Sequence, residues 1–387
     1  MTRHDPVVIV AAKRTPIGNL SGCFSALTAP QLGAHAHKAA LEQSGLTPEH
    51  LEEVFYGCVL QAGIGQAPAR QSSILAGMPD SVGAVTVNKM CGSGMQAVMF
   101  GHDSLLASSN NIVLAGGMES MTHAPYLLKK ARQGYRLGHN EIYDHMFLDG
   151  LEDAYQKGKP MGHFAEVTAK QYGFSREKQD AFALTSLDRA IEATEKKYFV
   201  DEITPIDNIT QDEGVNPAKR EKITRLKPVF SADGTITAAN ASSISDGAAS
   251  LILMRLSEAE KRGITPLAKI VAHSTHAHAP EWFTTAPVRA IEKVLTKSQW
   301  NKDEVDLYEI NEAFAVVTMV AMEELELPHE KVNIHGGACV LGHPIGASGA
   351  RVLVTLIYAL KQHNLKRGVA SLCIGGGEAT AMAVELY

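Results

Sequence analysis

The sequence predicts an α/β protein assembled twice from one unit, and three observations predict it. Strand-like apolar runs alternate with helical ones along both ends of the chain, which implies a sheet with helices on its faces. The two ends also share an order: a strand, a glycine turn into a long helix, then a strand and Gly-Gly-x-Glu. Tyr56 precedes Ser93-Gly94 by 37 positions and Tyr308 precedes Ser348-Gly349 by 40. Gly116-Gly117-x-Glu119 then follows Gly94 by 22 positions, and Gly375-Gly376-x-Glu378 follows Gly349 by 26. Between the halves, from Ser120 to about Thr237, charge and turn residues rise and strand signals fade. That stretch reads as an insertion covering a site, because it is too long and in places too apolar for a linker. A duplicated unit places the loops of its halves face to face across a pseudo-twofold axis, where a site is expected.

The elements follow in order. Val7–Val10 reads as a buried strand and Thr15–Gly18 as a turn. Ala29–Ser44 reads as a helix, and Thr47-Pro48 caps a short helical turn. Val54–Gly57 is a strand, Pro68–Ala76 a helix, Ala84–Val87 a strand, and Met95, Val98, Met99, Leu105 and Leu106 mark a helix. Asn111–Glu119 is a strand ending in glycines. In the insertion, Ser175 to about Lys197 forms one amphipathic helix, with Ser175 three residues before Lys178. Strands return at Ser250–Met254 and Ala268–Ala272, followed by a helix at Pro287–Lys297 and a strand at Leu307–Ile310. Helices at Ala313–Leu325 and from Ser348 to Leu360 lead to a last strand, Val369–Cys373.

The 387 residues are too many for one simple core, so two or three domains are expected. A net charge of -6 gives no reason to expect nucleic acid or an anionic membrane as partner. Five cysteines, with no apolar leader ahead of Val7, argue for a reducing compartment, taken as the cytoplasm. No stretch reaches the roughly 20 apolar residues that span a bilayer.

The chain is organised around Cys91-Gly92-Ser93-Gly94, a tight turn at the start of a helix. Free N–H groups there stabilise a thiolate, so the Cys91 thiol is expected to ionise easily and act as a nucleophile. Three more segments have the composition of active-site loops: Asn311-Glu312-Ala313-Phe314, Gly342-His343-Pro344, and Cys373-Ile374-Gly375-Gly376-Gly377. Together the four supply two thiols, an imidazole and an amide.

These segments, in this order, resemble the thiolase family over essentially the whole chain. Arg14-Thr15-Pro16-Ile17-Gly18, Gly116–Met121, Asn240-Ala241-Ser242 and Asp246-Gly247-Ala248-Ala249 extend the match. The resemblance implies duplicated βαβαβαββ halves in a five-layered αβαβα core with an inserted loop domain. It implies an N-terminal half of residues 1–118 with 246–263, an inserted domain of 119–245 and a C-terminal half of 264–387. It also implies a reversible condensation of two acetyl-CoA to acetoacetyl-CoA and CoA. Cys91 would carry the acyl group, His343 would accept its proton, and Cys373 would deprotonate the second acetyl-CoA. One oxyanion hole would combine His343 with a water held by Asn311, the other the N–H groups of Cys91 and Gly375. Ser242 would lie along the pantetheine arm, and Met161, Phe283 and Phe314 would line the acyl pocket, which with Phe164 suggests a short one. CoA and its esters are then substrates, and no cofactor is implied. A homotetramer is implied, with Tyr126–His145 as its loop or, alternatively, a lid over CoA.

Two departures and two rivals stand beside this reading. Pro160 occupies a position where several biosynthetic relatives carry His, and His335 one where Asn or Ser is frequent; His335 reads as buttressing its loop. No metal is expected at Cys339 and His343, nor at His273, His276 and His278, which read as an ordinary loop without acidic or thiol companions. The rival functions are a degradative 3-ketoacyl-CoA thiolase of fatty-acid β-oxidation and a non-catalytic CoA-ester binding protein; the glycine loops fit no nucleotide motif.

Overall fold

The computed structural model describes residues 5–387; the Met1–His4 part of the lead-in lies outside the described residues. Strand β1 is Val7–Arg14, buried almost throughout, and the two-residue β2 (Gly18–Asn19) follows the predicted turn. Helix α1 (Ala29–Ser44) matches its predicted bounds: Thr28 and Gln31 cap its start, and Gly45, at φ +69°, ends it. Strand β3 (Glu53–Gly57), helix α2 (Pro68–Leu75), strand β4 (Gly83–Val87), helix α3 (Ser93–Leu106) and strand β5 (Ile112–Ser120) complete the first run. The Thr47–His50 segment is a single 3-10 turn. On α3, Met95, Val98, Met99 and Leu105 are buried, whereas Leu106 faces solvent.

The insertion contains a small hairpin, β6 (Tyr126–Leu127) with β7 (Tyr143–Asp144), and two helices, α4 (Met161–Gln171) and α5 (Arg176–Glu195). The Lys178 N–H donates to Ser175 Oγ at 3.3 Å, so Ser175 caps α5 as its spacing predicts. The chain then re-enters the first sheet as β8 (Ser245–Arg255), followed by α6 (Leu256–Arg262). The second run is β9 (Ala268–Ala277), α7 (Ala286–Ser298), β10 (Leu307–Ile310), α8 (Ala315–Glu324), α9 (Ala338–Leu341), α10 (Ile345–Gln362), β11 (Arg367–Ile374) and β12 (Glu378–Leu386).

The duplication is explicit in the pairing. In the first half β5 runs parallel to β3 and antiparallel to β8, and β8 is antiparallel to β1. In the second, β11 runs parallel to β10 and antiparallel to β12, and β12 is antiparallel to β9. The first half adds β4, parallel to β3, at its edge; its counterpart is reduced to one parallel bridge between Tyr308 and Val332. A short ladder, Val8 with Lys269 and Ile9 with Ala268, joins the two halves into one continuous sheet path. The glycine motifs are not equivalent, contrary to the sequence pattern: β5 runs through Gly116-Gly117, whereas β11 stops at Ile374 and Gly375–Gly377 form the turn into β12.

Five layers result. Helix α1 covers the outer face of the first half, α7 and α8 cover the outer face of the second, and α3 with α10 fill the middle against both sheets. The two central helices meet backbone to backbone. A Cβ on Gly94 would lie 2.8 Å from the Ala350 nitrogen, and one on Gly349 would lie 2.3 Å from the Met95 nitrogen. The insertion is tied down by buried charge. Arg14 holds Glu202 at 2.5 Å and Asp212 at 2.7 Å, and Ser186 Oγ on α5 donates to Glu312 at 2.8 Å.

Candidate active site

The nucleophile candidate stands where strand β4 hands over to α3. Ser93 Oγ accepts the Lys89 N–H at 2.8 Å and donates to the Met90 carbonyl at 2.6 Å, closing a turn around Cys91. The turn forces Met90 into the left-handed region at φ +48°, a conformation that costs a non-glycine residue about 1–3 kcal/mol. Cys91 is half-buried and packs against the apolar cluster of Val59, Leu60, Met121 and Ile345, the last of these two residues past His343. Its thiol does not behave as the sequence suggests. Burial pushes it up to about 11, although the Gly375 and Cys91 N–H groups favour the thiolate. The expected easy ionisation is therefore corrected: helix α3 starts at Ser93, past the sulfur, and its amides do not offset the lost hydration.

Cys373 and Asn311 come from the C-terminal ends of the adjacent parallel strands β11 and β10, where open α/β sheets place ligand sites. Cys373 is 1% exposed; burial first, and the neighbouring Cys91 second, raise its thiol well above the usual range. The two thiols therefore share one site, with Cys91 the more open member. Gly376 and Gly377 adopt φ +95° and +85°, which lets the turn swing the Gly375 N–H toward the Cys91 sulfur. Lys89 and Glu378 form an ion pair that clips the Cys91 turn to the Cys373 turn.

His343 is 6% exposed and follows Gly342, which has φ +105°. Its loop follows the short helix α9 and not a strand. Glu119 anchors the loop, accepting the Gly346 N–H at 2.8 Å as well as those of Val59 and Leu60. The Ser348 hydroxyl donates to the Pro344 carbonyl at 2.9 Å, so its oxygen accepts the His343 Nδ1–H at 2.6 Å. That assigns the proton to Nδ1 and leaves a lone pair on Nε2, which is buried and has no protein partner. Burial, with Arg351 nearby, lowers the imidazole to about 3, so it is neutral at pH 7. Asn311 is fully buried. Its carbonyl accepts from Arg351 at 3.2 Å, and its NH2 lies 3.4 Å from His343 Nδ1. Arg351 is fixed in turn by Glu309 at 2.8 Å.

The predicted pocket residues are found around this centre. Met161, at the start of α4, brings its sulfur within 3.4 Å of where a Cβ on Gly375 would stand. The Phe283 and Phe314 rings are buried, with centroids 6.5 Å apart. Phe230 extends the cluster at 6.1 Å from Phe314; sequence reading missed it because it sits in an irregular stretch with no periodicity. Ser242 is half-buried, and its N–H donates to the Ala313 carbonyl, so its loop runs alongside the Asn311 segment. Phe164 is buried in the same apolar cluster.

Other candidates lie elsewhere. Cys339 is buried with its sulfur directed to the Glu312 carbonyl. His335 stacks on Tyr198 and contacts His363 at 3.1 Å. His273 and His276 belong to β9 rather than to a loop, and His273 does have an acidic companion in Asp103. Two solvent-open clefts, one of about 280 Å³ beside Phe199 and one of about 460 Å³ beside His102, are lined by residues outside the thiol site.

Two repeated α/β halves that bring two cysteines, a neutral histidine and an asparagine to one centre define an acyl-transfer site of the double-thiol kind. The family models bear this out: "Thiolase, N-terminal domain" matches residues 7–257 and "Thiolase, C-terminal domain" matches residues 264–386. A probable acetyl-CoA acyltransferase of Staphylococcus aureus strain COL is 45% identical over 397 residues, covering 100% of both chains. The crystal structure of the Bacillus anthracis acetyl-CoA acetyltransferase superposes with a TM-score of 0.97 at 39% identity, covering 100% of both chains. The Acat5 thiolase of Ascaris suum, solved with coenzyme A, gives 0.94 at 39% identity, covering 99% of this chain and 100% of the other. The chain belongs to the thiolase family and is an acyltransferase acting on CoA esters.

Proposed function

We propose that this enzyme is an acetyl-CoA C-acetyltransferase that condenses two acetyl-CoA to acetoacetyl-CoA and CoA, reversibly, through an acyl group on Cys91. The observation that carries the proposal is the pairing of two protonated thiols with an unpartnered His343 Nε2. A thiol at about 11 is ionised only about one part in ten thousand at pH 7, so Cys91 needs a base as it attacks. His343 Nε2 takes that proton and returns it to the departing CoA sulfur. His343 Nε2, free again, takes the Cys373 proton. The Cys373 thiolate removes a proton from the methyl carbon of the second acetyl-CoA, and the enolate attacks the acyl carbon to release Cys91 as the thiolate, which takes its proton back from His343. The raised Cys373 thiol suits a group that passes through the thiolate and is reprotonated within each cycle. The Gly375 N–H serves the oxyanion formed on the Cys91 acyl group, and His343, protonated on Nε2 at that stage, serves the enolate together with a water held by Asn311; such a donor is worth about 3–4 kcal/mol in the transition state.

Met161, Phe164, Phe230, Phe283 and Phe314 crowd the side of the site beyond Gly375 and support acetyl over longer acyl groups. Ser242 is assigned to the pantetheine arm. The β6–β7 hairpin, with Tyr126, Leu128 and Ile142 exposed and Leu137 96% exposed, supports a homotetramer built through this loop. Five free thiols support a reducing compartment, taken as the cytoplasm.

Steady-state thiolysis of 3-ketoacyl-CoAs from C4 to C16 tests the substrate. The highest kcat/KM is expected at C4; a preference for long chains would make the enzyme a degradative 3-ketoacyl-CoA thiolase. Cys373→Ala should still form the acetyl adduct on Cys91 and fail to condense, and normal condensation in that variant would overturn the assigned roles.

A further inference from the structure

We propose that His102, Asp103 and His273 form a binding site for zinc that clasps helix α3 to strand β9. The three side chains converge from different halves of the molecule. His273 Nε2 lies 3.2 Å from His102 Nδ1 and 3.0 Å from Asp103 Oδ1, and His102 Nδ1 lies 3.0 Å from the same oxygen. The three ligand atoms thus form a nearly equilateral triangle. In a tetrahedral site with bonds of roughly 2.0–2.1 Å, neighbouring ligand atoms stand about 3.3 Å apart, close to what is found.

Hydrogen bonding alone does not account for the triangle. If both rings donate to the carboxylate, two N–H groups confront each other at 3.2 Å. If His273 alone carries a proton there, the His102 Nδ1 lone pair faces the carboxylate oxygen at 3.0 Å. With the carboxylate ionised, every arrangement of the ring protons leaves one side repulsive, whereas a cation seated over the centre of the triangle accepts all three lone pairs. Two imidazoles and one carboxylate suit zinc, with the fourth position left to water. That position has access: Asp103 is exposed, and the cleft of about 460 Å³ lined by Pro6, Val7, His102, Leu106, Lys269 and Ile270 opens beside it.

The location gives the site a purpose. The sheet path crosses between halves on the two residue pairs of the β1–β9 ladder, and the clasp reinforces that crossing from the side. Because α3 carries the Cys91 turn at its other end, the metal steadies the helix without touching the reacting groups.

Tag-free protein, stripped with chelator and with its reactive thiols alkylated, is titrated with Co2+. One equivalent per chain is expected, with ligand-field bands, no thiolate charge-transfer band, and displacement by Zn2+. Zn2+ should raise Tm by a few degrees. His273→Gln and Asp103→Asn should weaken Co2+ binding at least tenfold and abolish the Zn2+-dependent shift. Before alkylation, both variants should keep turnover within twofold of the parent, which shows that they fold. Absence of one-to-one uptake in the parent, or uptake and shift unchanged in His273→Gln, would overturn the proposal.

Discussion

Ser348→Ala removes a single oxygen that no substrate needs to touch, yet it should slow acylation severely. In the parent the Ser348 oxygen accepts the His343 Nδ1–H at 2.6 Å, which keeps the Nε2 lone pair directed into the site. Alanine leaves that N–H buried without an acceptor, at a cost of about 1–3 kcal/mol. The Asn311 NH2 group, 3.4 Å from Nδ1, then favours the opposite tautomer, in which Nδ1 accepts and Nε2 carries the hydrogen. A ring in that state donates at Nε2 but takes no proton from a thiol. Converted at 1.4 kcal/mol per factor of ten, the penalty predicts a fall of about 5- to 150-fold in the acylation rate, with KM little changed. Stopped-flow acetylation of Cys91 in a Cys373→Ala background isolates this step. Ser348→Thr, which keeps the acceptor, should recover most of the rate. An acylation rate within twofold of the parent in Ser348→Ala would refute the assignment of the proton to Nδ1.

Two further predictions rest on buried polar groups. Arg351→Met leaves Glu309 without its partner and frees the Asn311 carbonyl; stability should fall by about 3–5 kcal/mol in denaturant titration. Pairing it with Glu309→Leu should restore most of that stability but not kcat, since Asn311 would remain unfixed. His37 is buried between Ser72 and Ser250 at 3.0 and 2.9 Å, and burial lowers its imidazole to about 3. Its folded value lies below the unfolded value of about 6.5, so the unfolded chain binds the extra proton between those limits. The stability His37 contributes is complete above pH 6.5 and is lost as pH falls toward 3, by up to about 1.4 kcal/mol per unit. The stability gap between parent and His37→Gln should therefore narrow on going from pH 7 to pH 4.5, and a constant gap would contradict the buried neutral state.

Much of the architecture was legible because its signals are local. Helix α1 declares both ends, with Pro30 just inside and Gly45 just outside, and Ser93-Gly94 marks the start of α3, whereas α10 begins at Ile345, three residues ahead of Ser348-Gly349. Strand β12 escaped because Glu378–Leu386 is rich in Ala, Met and Glu, which favour helix, and is buried on both faces, so no alternation appears. Helix α4 escaped because Pro160 offers no side-chain cap at its start. Within the site, the identities of Cys91, His343, Cys373 and Asn311 could be read, but their states could not. The thiol of Cys91 is governed by how much water the fold removes, and the His343 tautomer by an oxygen five residues along. Asp103 and His273 are 170 positions apart, and only the fold brings them to 3.0 Å.

The contact between Gly94 and Gly349 carries a consequence for how such an enzyme can change. Each glycine occupies the same place in its copy of the repeat, and each leaves vacant the volume that the other helix's main chain fills. Enlarging either residue wedges apart the two helices whose leading ends hold Cys91 and His343. The loops and the insertion are thus free to drift toward new acyl groups, while the middle of the molecule is interlocked: neither ancestral copy can remodel this point on its own.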